Sequence, residues 1–264
     1  AMLFFALVLQ AQNMQELIAK AGDAKTFPKS DVVVIFDSTS VEMQATGLSY
    51  YQMHKLVKIL SLQGAKNNHI VKVGYDPLSA YVEIQKVIVY KANGETKTIK
   101  NPVLDYAAPA RAIYWGAREK MVEVGRLEPG DALEIITFKK GYTYALLQGA
   151  SDEDEKYIPP MRGHFYDIVP FWSNEPILEK TYLLSIPNDK MLQYEVFYGE
   201  LTSKLQFQGE RIKYSFTKRN IMPAERESGM VSKNNVNTKL LMSTSPDWYA
   251  KGKWFYTVNE DYDA

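Results

Sequence analysis

Short runs in which apolar and polar residues alternate dominate the chain and predict a mainly β fold. Residues 31–36 are almost entirely apolar, which is typical of a strand buried on both faces, whereas 69–75 and 178–186 alternate. Asn93 and Gly94 lie between two strand-like runs and predict a tight hairpin. Turn signals recur every ~8–12 residues, and this spacing favours a β-sandwich over alternating strands and helices.

The remaining patterns predict further strands and two helices. Residues 107–120 combine alanine with aromatic residues and predict a short helix or an irregular crossover, and 141–147 is expected to pair back against a strand at 132–138. An N-terminal helix should follow Asn13, and Ser245 before Pro246 predicts the start of a C-terminal helix. Other strands are predicted at 50–60, 81–90, 96–99, 192–198, 204–208 and 211–217, the last three as a meander.

The predicted fold class is therefore mainly β: a large antiparallel β-sandwich with a short N-terminal helix and a C-terminal connector helix. The polar run 151–156 and Pro159–Pro160 mark the expected seam between two β halves, which form either one sandwich or two domains. The predicted segments are a signal-peptide remnant (1–12), a helical lead-in (13–30), a first β half (31–150), an exposed loop or seam (151–175), a second β half (176–244), and a connector helix with a tail (245–264).

Composition narrows the classes of function. The 264 residues include 31 basic and 31 acidic side chains, so no global field attracts nucleic acid or an anionic membrane. Lysine and arginine also form no stripe, and nucleic-acid binding is not expected. With no cysteine, the chain contains no disulfide, no thiolate metal site and no thiol nucleophile.

The N-terminus predicts export. Leu3–Leu9 is an apolar run, and the small and polar residues Gln10–Gln12 follow it. This pattern resembles a signal peptide whose positively charged N-terminal region is missing. The alternative is a short buried strand. The run is too short to cross a membrane, which needs ~20 apolar residues, and no transmembrane segment is predicted. The expected location is the periplasm or exterior of a Gram-negative bacterium.

Candidate chemistry is sparse, and neither a cofactor nor a metal is predicted. A zinc site made of histidine alone would need all of His54, His69 and His164 to meet, and the acidic run 152–155 lacks the spacing of a calcium loop. Aromatic residues are the compositional excess, with 18 tyrosines, 11 phenylalanines and 4 tryptophans. Exposed rings can bind sugars or proteins, although most rings in a large core simply fill it. The candidate ligand or interface residues are Trp115, Tyr142, Tyr144, Trp172, Trp248, Tyr249 and Trp254.

An ordered set of motifs resembles the domain of unknown function 3857 and covers about residues 31–258. These motifs are His54–Leu60 with Gly64, Gly74–Asp76, Val82–Val89 with Asn93–Gly94, Leu127–Glu134, Pro176–Pro187, Tyr214–Phe216, Arg219–Ile221, Pro223–Glu225, and Ser243–Thr244 with Trp248. In that family the region is a β-sandwich that precedes a transglutaminase-like, papain-type domain in exported bacterial proteins. The resemblance implies no catalytic residues in the β part.

Three hypotheses follow. The first is a non-catalytic accessory domain that supports a downstream transglutaminase-like or cysteine-peptidase domain or assists its substrate recognition. The chain is then no enzyme by itself, and that domain is its expected partner. The second is a stand-alone β-sandwich that binds carbohydrate or envelope glycan. The third is a hydrolase, which requires a cleft with convergent polar side chains whose pKa values are perturbed.

Overall fold

The computed structural model describes residues 14–107, 116–142, 146–147, 157–158, 163–225, 229, 231–245, 247, 249, 252 and 256. Helix α1 spans 14–20 and α2 spans Leu62–Asn67. The strands are β1 (Val32–Met43), β2 (Ser49–Ile59), β3 (Ile70–Tyr75), β4 (Ala80–Tyr90), β5 (Thr96–Thr98), β6 (Leu104–Ala107), β7 (Arg118–Glu123), β8 (Ala132–Gly141), β9 (Leu146–Leu147), β10 (Tyr157–Ile158), β11 (Tyr166–Pro170), β12 (Ile177–Pro187), β13 (Gln193–Phe197), β14 (Thr202–Gln208), β15 (Arg211–Ile221) and β16 (Lys239–Ser243).

An eight-stranded sheet forms the centre of the fold, in the order β14-β15-β12-β1-β2-β8-β4-β5. Strands from both β halves therefore share one hydrogen-bonded sheet. The halves meet where β1 pairs with β12, and this pair is parallel, whereas the other neighbours in the sheet are antiparallel.

Two three-stranded sheets cover one face of the central sheet. The sheet β11-β16-β13 packs on β12 and β15 through a core that includes Phe165, Phe171, Leu184, Phe216 and Met242. The sheet β3-β7-β6 packs over β1, β2, β4 and β8 through a valine-rich second core. A sandwich results because each alternating strand buries one face against another sheet.

Helix α1 covers part of the opposite face. Met14 and Ile18 pack against Val33, Leu56 and other apolar residues of β1, β2, β4 and β8. The Lys58 Nζ donates hydrogen bonds to the carbonyl oxygens of Ile18 and Gly22, at 3.0 and 2.7 Å. This contact satisfies carbonyls at the end of the helix and fixes its position on the sheet.

Two motifs that the sequence singled out have structural roles. Asp131 is buried, and its carboxylate accepts hydrogen bonds from the backbone N–H of Ala92 at 3.0 Å and of Glu128 at 2.9 Å, and from Lys91 Nζ at 2.7 Å. This carboxylate ties the β4–β5 hairpin to the turn before β8. Gly64 lies against the Asp31 carbonyl, where a Cβ atom would approach the oxygen to 2.2 Å. Only glycine fits this contact between α2 and β1.

The prediction of a mainly β sandwich with a short N-terminal helix is confirmed. The expected C-terminal helix falls mostly outside the described residues, although residues 249, 252 and 256 are helical. None of the helices in the described part is long and apolar enough to cross a membrane.

Residues 107–120, predicted as a short helix or an irregular crossover, are described only at 107 and at 116–120, where β6 ends and β7 begins. Two details of the prediction are wrong. Strand β9 (Leu146–Leu147) pairs with β10 and not with β8, because β2 and β4 already occupy both edges of β8. β13 does not join a meander with β14 and β15, but pairs with β16 in the smaller sheet.

Candidate functional site

A buried glutamate organises a polar cluster on the α1 side of the central sheet. Glu134 on β8 is 6% exposed; its Oε1 lies 2.6 Å from His54 Nε2, and its Oε2 accepts a 2.7 Å hydrogen bond from the Tyr90 hydroxyl. Burial alone would raise the pKa of Glu134, but these hydrogen bonds and the charge of Lys86 outweigh it and lower the pKa. Burial and the bond to Glu134 raise the pKa of Tyr90. Each carboxylate oxygen of Glu134 therefore has one partner within the fold.

His54 lies opposite Ser38 across β1 and β2, which places a serine, a histidine and a glutamate on neighbouring strands. Among the described residues, however, the hydrogen bond of His54 goes to Glu134, and its ring packs edge-on against Phe36 at 4.8 Å. A nucleophilic serine needs a hydrogen bond to its base. This geometry does not support acyl-transfer chemistry.

A charged row crosses the other face of the central sheet between the two cores. Lys218, Lys180, Asp37 and Lys55 occupy register-matched positions on β15, β12, β1 and β2. Lys180 Nζ lies 3.0 Å from Asp37 Oδ2, and Lys218 Nζ donates a 2.6 Å hydrogen bond to the Thr238 hydroxyl. Burial lowers the pKa of Lys218. The row is largely paired within the fold.

Asp167 and Tyr182 form a second buried contact on this face. Tyr182 donates a 2.5 Å hydrogen bond to Asp167 Oδ2. Burial raises the pKa of Asp167 although this hydrogen bond opposes the shift, and burial together with the carboxylate raises the pKa of Tyr182. Perturbed groups of this kind occur in active sites and in structural networks alike.

A groove of about 480 Å³ lies beside α1. Lys20, Ser38 and Thr181 line it together with Arg219 and Glu179, whose Nε and Oε2 atoms pair at 2.6 Å. No group of three or more histidine, aspartate or glutamate side chains that could hold a metal ion occurs among the described residues.

Tyrosines surround a lysine at the outer end of the sheet β3-β7-β6. Lys120 Nζ lies 5.9 Å from the ring centroid of Tyr75 and 4.7 Å from that of Tyr81. Asp105 beside them accepts hydrogen bonds from the Tyr75 hydroxyl at 2.7 Å and from Arg118 Nε at 2.8 Å. Tyr81 is half exposed, so the cluster presents an aromatic ring and charged groups to solvent.

An exposed apolar surface lies on β14, one of the two edge strands of the central sheet. Every residue of β14 is exposed, including Leu205 at 51% and Phe207 at 72%. Tyr194 on β13 lies nearby, 44% exposed, with its ring 4.9 Å from that of Phe216. Leu205, Phe207 and Tyr194 are called the edge surface below. An exposed apolar edge is typical of an interaction site.

Three of the residues that the sequence proposed as interface residues lie in the described part. Trp172 is half-buried, and its Nε1 donates a 3.0 Å hydrogen bond to Asn234 Oδ1. Tyr142 is half-buried directly after β8, and Tyr249 is 79% exposed. No contact among the described residues brings these three side chains together. The other four, Trp115, Tyr144, Trp248 and Trp254, lie outside the described residues, as does the acidic run 152–155.

Sequence reasoning missed the edge surface and both buried carboxylate clusters. His54 and Glu134 each belonged to a recognised motif, yet the sequence does not show that they meet 80 residues apart. Leu205 and Phe207 follow the ordinary alternation of a strand, and the missing information was that β14 lies at an edge.

Comparison with known proteins identifies the family. The family model "Domain of Unknown Function with solved-structure structure" (DUF3857) matches residues 45–225, more than half of the chain. The chain belongs to the DUF3857 family. The resemblance predicted from the ordered motifs is thereby confirmed, and no curated protein matches the chain.

One solved structure shows the same fold in part of a larger protein. A "putative protease" from Parabacteroides distasonis ATCC 8503 superposes with a TM-score of 0.67 and 16% identity, over 83% of this DUF3857 chain and 41% of that chain. An M1 zinc metallopeptidase from Deinococcus radiodurans matches with a TM-score of 0.41 and 12% identity, over 81% of this chain and 42% of that chain. This chain therefore spans about two fifths of the length of each.

Proposed function

We propose that this DUF3857 domain is a non-catalytic accessory domain that supports a neighbouring transglutaminase-like or cysteine-peptidase domain and assists its substrate recognition. The main observation in favour is the likeness to the Parabacteroides distasonis protein, in which the matched fold makes up 41% of a chain named as a protease. The exposed edge surface adds support, because an accessory domain must present a surface to substrate or partner. The paired carboxylates inside the fold favour a scaffold.

The proposal includes a location outside the cytoplasm and a partner domain encoded in the same reading frame.

The test compares the complete translated protein with a version that lacks residues 14–245, using fluorogenic peptide hydrolysis and amine-transfer assays. We expect kcat/KM to fall at least about tenfold on deletion, and adding the separate 264-residue chain should restore part of it. If the version without residues 14–245 has the same activity and the same thermal stability as the complete protein, the proposed accessory role is refuted.

The same experiment tests whether the DUF3857 domain is itself an enzyme. The 264-residue chain alone should hydrolyse no member of a peptide or glycoside panel. Turnover by the purified chain, lost on replacing one polar residue of the groove beside α1, would overturn the proposal of a non-catalytic domain.

Glycan binding is a second candidate, and the tyrosine cluster around Lys120 favours it. Sugar sites combine exposed aromatic rings with charged hydrogen-bonding groups, and the half-exposed Tyr81 ring lies against Lys120 while its hydroxyl donates to Glu83. A glycan array probed with the wild-type chain and with Tyr81→Ala tests it. Signals that Tyr81→Ala abolishes support glycan binding, and an array without signal excludes it for the glycans tested.

A further inference from the structure

Strand β14 leaves one of its two edges open. It pairs with β15 over seven residues, from Thr202↔Thr217 to Gln208↔Arg211, and no strand in the described part of the chain pairs with its outer side. Sheet edges in natural proteins are usually protected by proline, bulges, charge or short length. β14 contains no proline, its pairing with β15 has no register shift, and Lys204 is its one charged residue.

The face of β14 that continues the buried core is apolar. Leu205 lies opposite Tyr214 and Phe207 opposite Ile212, and both of these partners belong to the core beneath β11-β16-β13. Leu205 and Phe207 nevertheless remain more than half exposed. An added strand would cover them with its own apolar side chains at every second position.

The opposite face of β14 is polar and positively charged. Lys204 lies opposite Ser215, and Gln206 lies opposite Lys213, which is exposed. A groove of about 410 Å³ adjoins this face and is lined by Lys204, Thr217 and Arg219, with Glu200 at one side. Acidic side chains on an added strand would therefore lie directly beside Lys204, with Lys213 one strand further into the sheet.

We propose that β14 binds an extended peptide segment that alternates apolar and acidic residues and adds it as a ninth strand of the central sheet. Backbone hydrogen bonds to the open edge supply affinity, and the two unlike faces of β14 select the alternating pattern. The inference deepens the proposed function by naming the class of segment that the domain recognises.

A second copy of this chain fits the edge less well. Antiparallel pairing of two β14 strands about Leu205 places Lys204 of each copy opposite Gln206 of the other. Lys204 and Lys213 of both copies then share one face, so like charges gather where an acidic segment would neutralise them.

The test measures peptide binding by fluorescence anisotropy with the full 264-residue chain. The probe is a fluorescein-labelled, C-terminally amidated Glu-Val-Glu-Val-Glu-Val-Glu peptide, compared with its Lys-Val counterpart and with the same acidic peptide N-methylated at every residue after the first. We expect the acidic peptide to bind at least about tenfold more tightly than either comparison peptide, because one lacks charge complementarity and the other lacks backbone donors.

Charge reversal identifies the site. Lys204→Glu together with Lys213→Glu should weaken the acidic peptide about tenfold or more and strengthen the Lys-Val peptide. Lys97→Glu on β5, at the far edge of the same sheet, is the matched control and should leave both affinities unchanged. All three positions are exposed, so the variants should retain the circular dichroism spectrum of the wild type.

Several results would overturn the inference: no binding of the acidic peptide, equal binding of the N-methylated peptide, or equal loss in the Lys97→Glu control. Analytical ultracentrifugation tests the other occupant. A concentration-dependent dimer that Leu205→Lys dissociates would mean that β14 binds a second copy of the chain and not a peptide. Failure here leaves the accessory role standing, because that role is tested through the activity of the complete protein.

Discussion

Replacing Glu134 with glutamine tests how much the buried carboxylate contributes to the fold of the DUF3857 domain. The substitution keeps the shape of the side chain but removes its charge and places an amide NH₂ against one of its two partners, His54 or Tyr90. A hydrogen bond to a charged group contributes about 1.5–3 kcal/mol, and an unsatisfied buried group costs about 1–3 kcal/mol. We therefore expect Glu134→Gln to lower the free energy of unfolding by about 2–4 kcal/mol.

Urea unfolding followed by circular dichroism and tryptophan fluorescence provides the measurement, and Glu95→Gln in the exposed β4–β5 turn is the matched control. The control should change the free energy of unfolding by less than about 0.5 kcal/mol. If Glu134→Gln unfolds at the same midpoint as the control, the cluster does not stabilise the fold as argued.

The pH dependence of this difference has a defined sign. The pKa of Glu134 is lower in the folded state than in the unfolded chain, where a glutamate has a pKa of about 4.3. Its stabilising contribution is therefore complete above that value and is lost as the pH falls through the folded pKa. The gap between wild type and Glu134→Gln should shrink as the pH falls below about pH 4.

Three further predictions concern other parts of the chain. Tyr182→Phe should raise the pKa of Asp167 further, because the hydrogen bond from the Tyr182 hydroxyl opposes the effect of burial. A ¹³C carboxyl titration by NMR measures this pKa, and an unchanged value would contradict the prediction. Gly64→Ala should lower the free energy of unfolding by about 2 kcal/mol or more, because the new Cβ meets the Asp31 carbonyl. Thermal melting measures this loss, and a loss below about 1 kcal/mol would mean that α2 shifts to accommodate the new side chain. Residues 1–12, fused behind a positively charged N-terminal region, should export an alkaline phosphatase reporter in a Gram-negative host. Phosphatase activity no higher than that of a reporter without a signal peptide would refute the signal-peptide interpretation.

Local alternation was sufficient to predict most strands but not their partners. The pattern of Ile177–Pro187 marks a strand in sequence alone, yet nothing local indicates that it runs parallel to β1. The hairpin predicted after β8 is wrong for the same reason: β2 and β4 pair with the two edges of β8, so no edge is left for the following residues. Pairing is decided by tertiary packing, which the periodicity of one strand does not encode.

Motif recognition gave the family but not the meaning of the motifs. Asp131 belongs to the motif Leu127–Glu134, and the structure shows that its carboxylate joins two turns. Glu134, three residues later, could have been suspected because a glutamate in an otherwise apolar strand must be paired if it is buried. The identity of its partners, His54 and Tyr90, follows only from the order β2-β8-β4.

The distribution of polar groups supports the binding role proposed for β14. Glu134 has two hydrogen-bonding partners, Asp131 has three, and Asp37 is paired with Lys180, so these charges already have partners within the fold. The outer edge of β14 instead leaves backbone N–H and C=O groups without a partner strand in the described part of the chain. Such groups recognise extended chains, which is the role proposed for this edge.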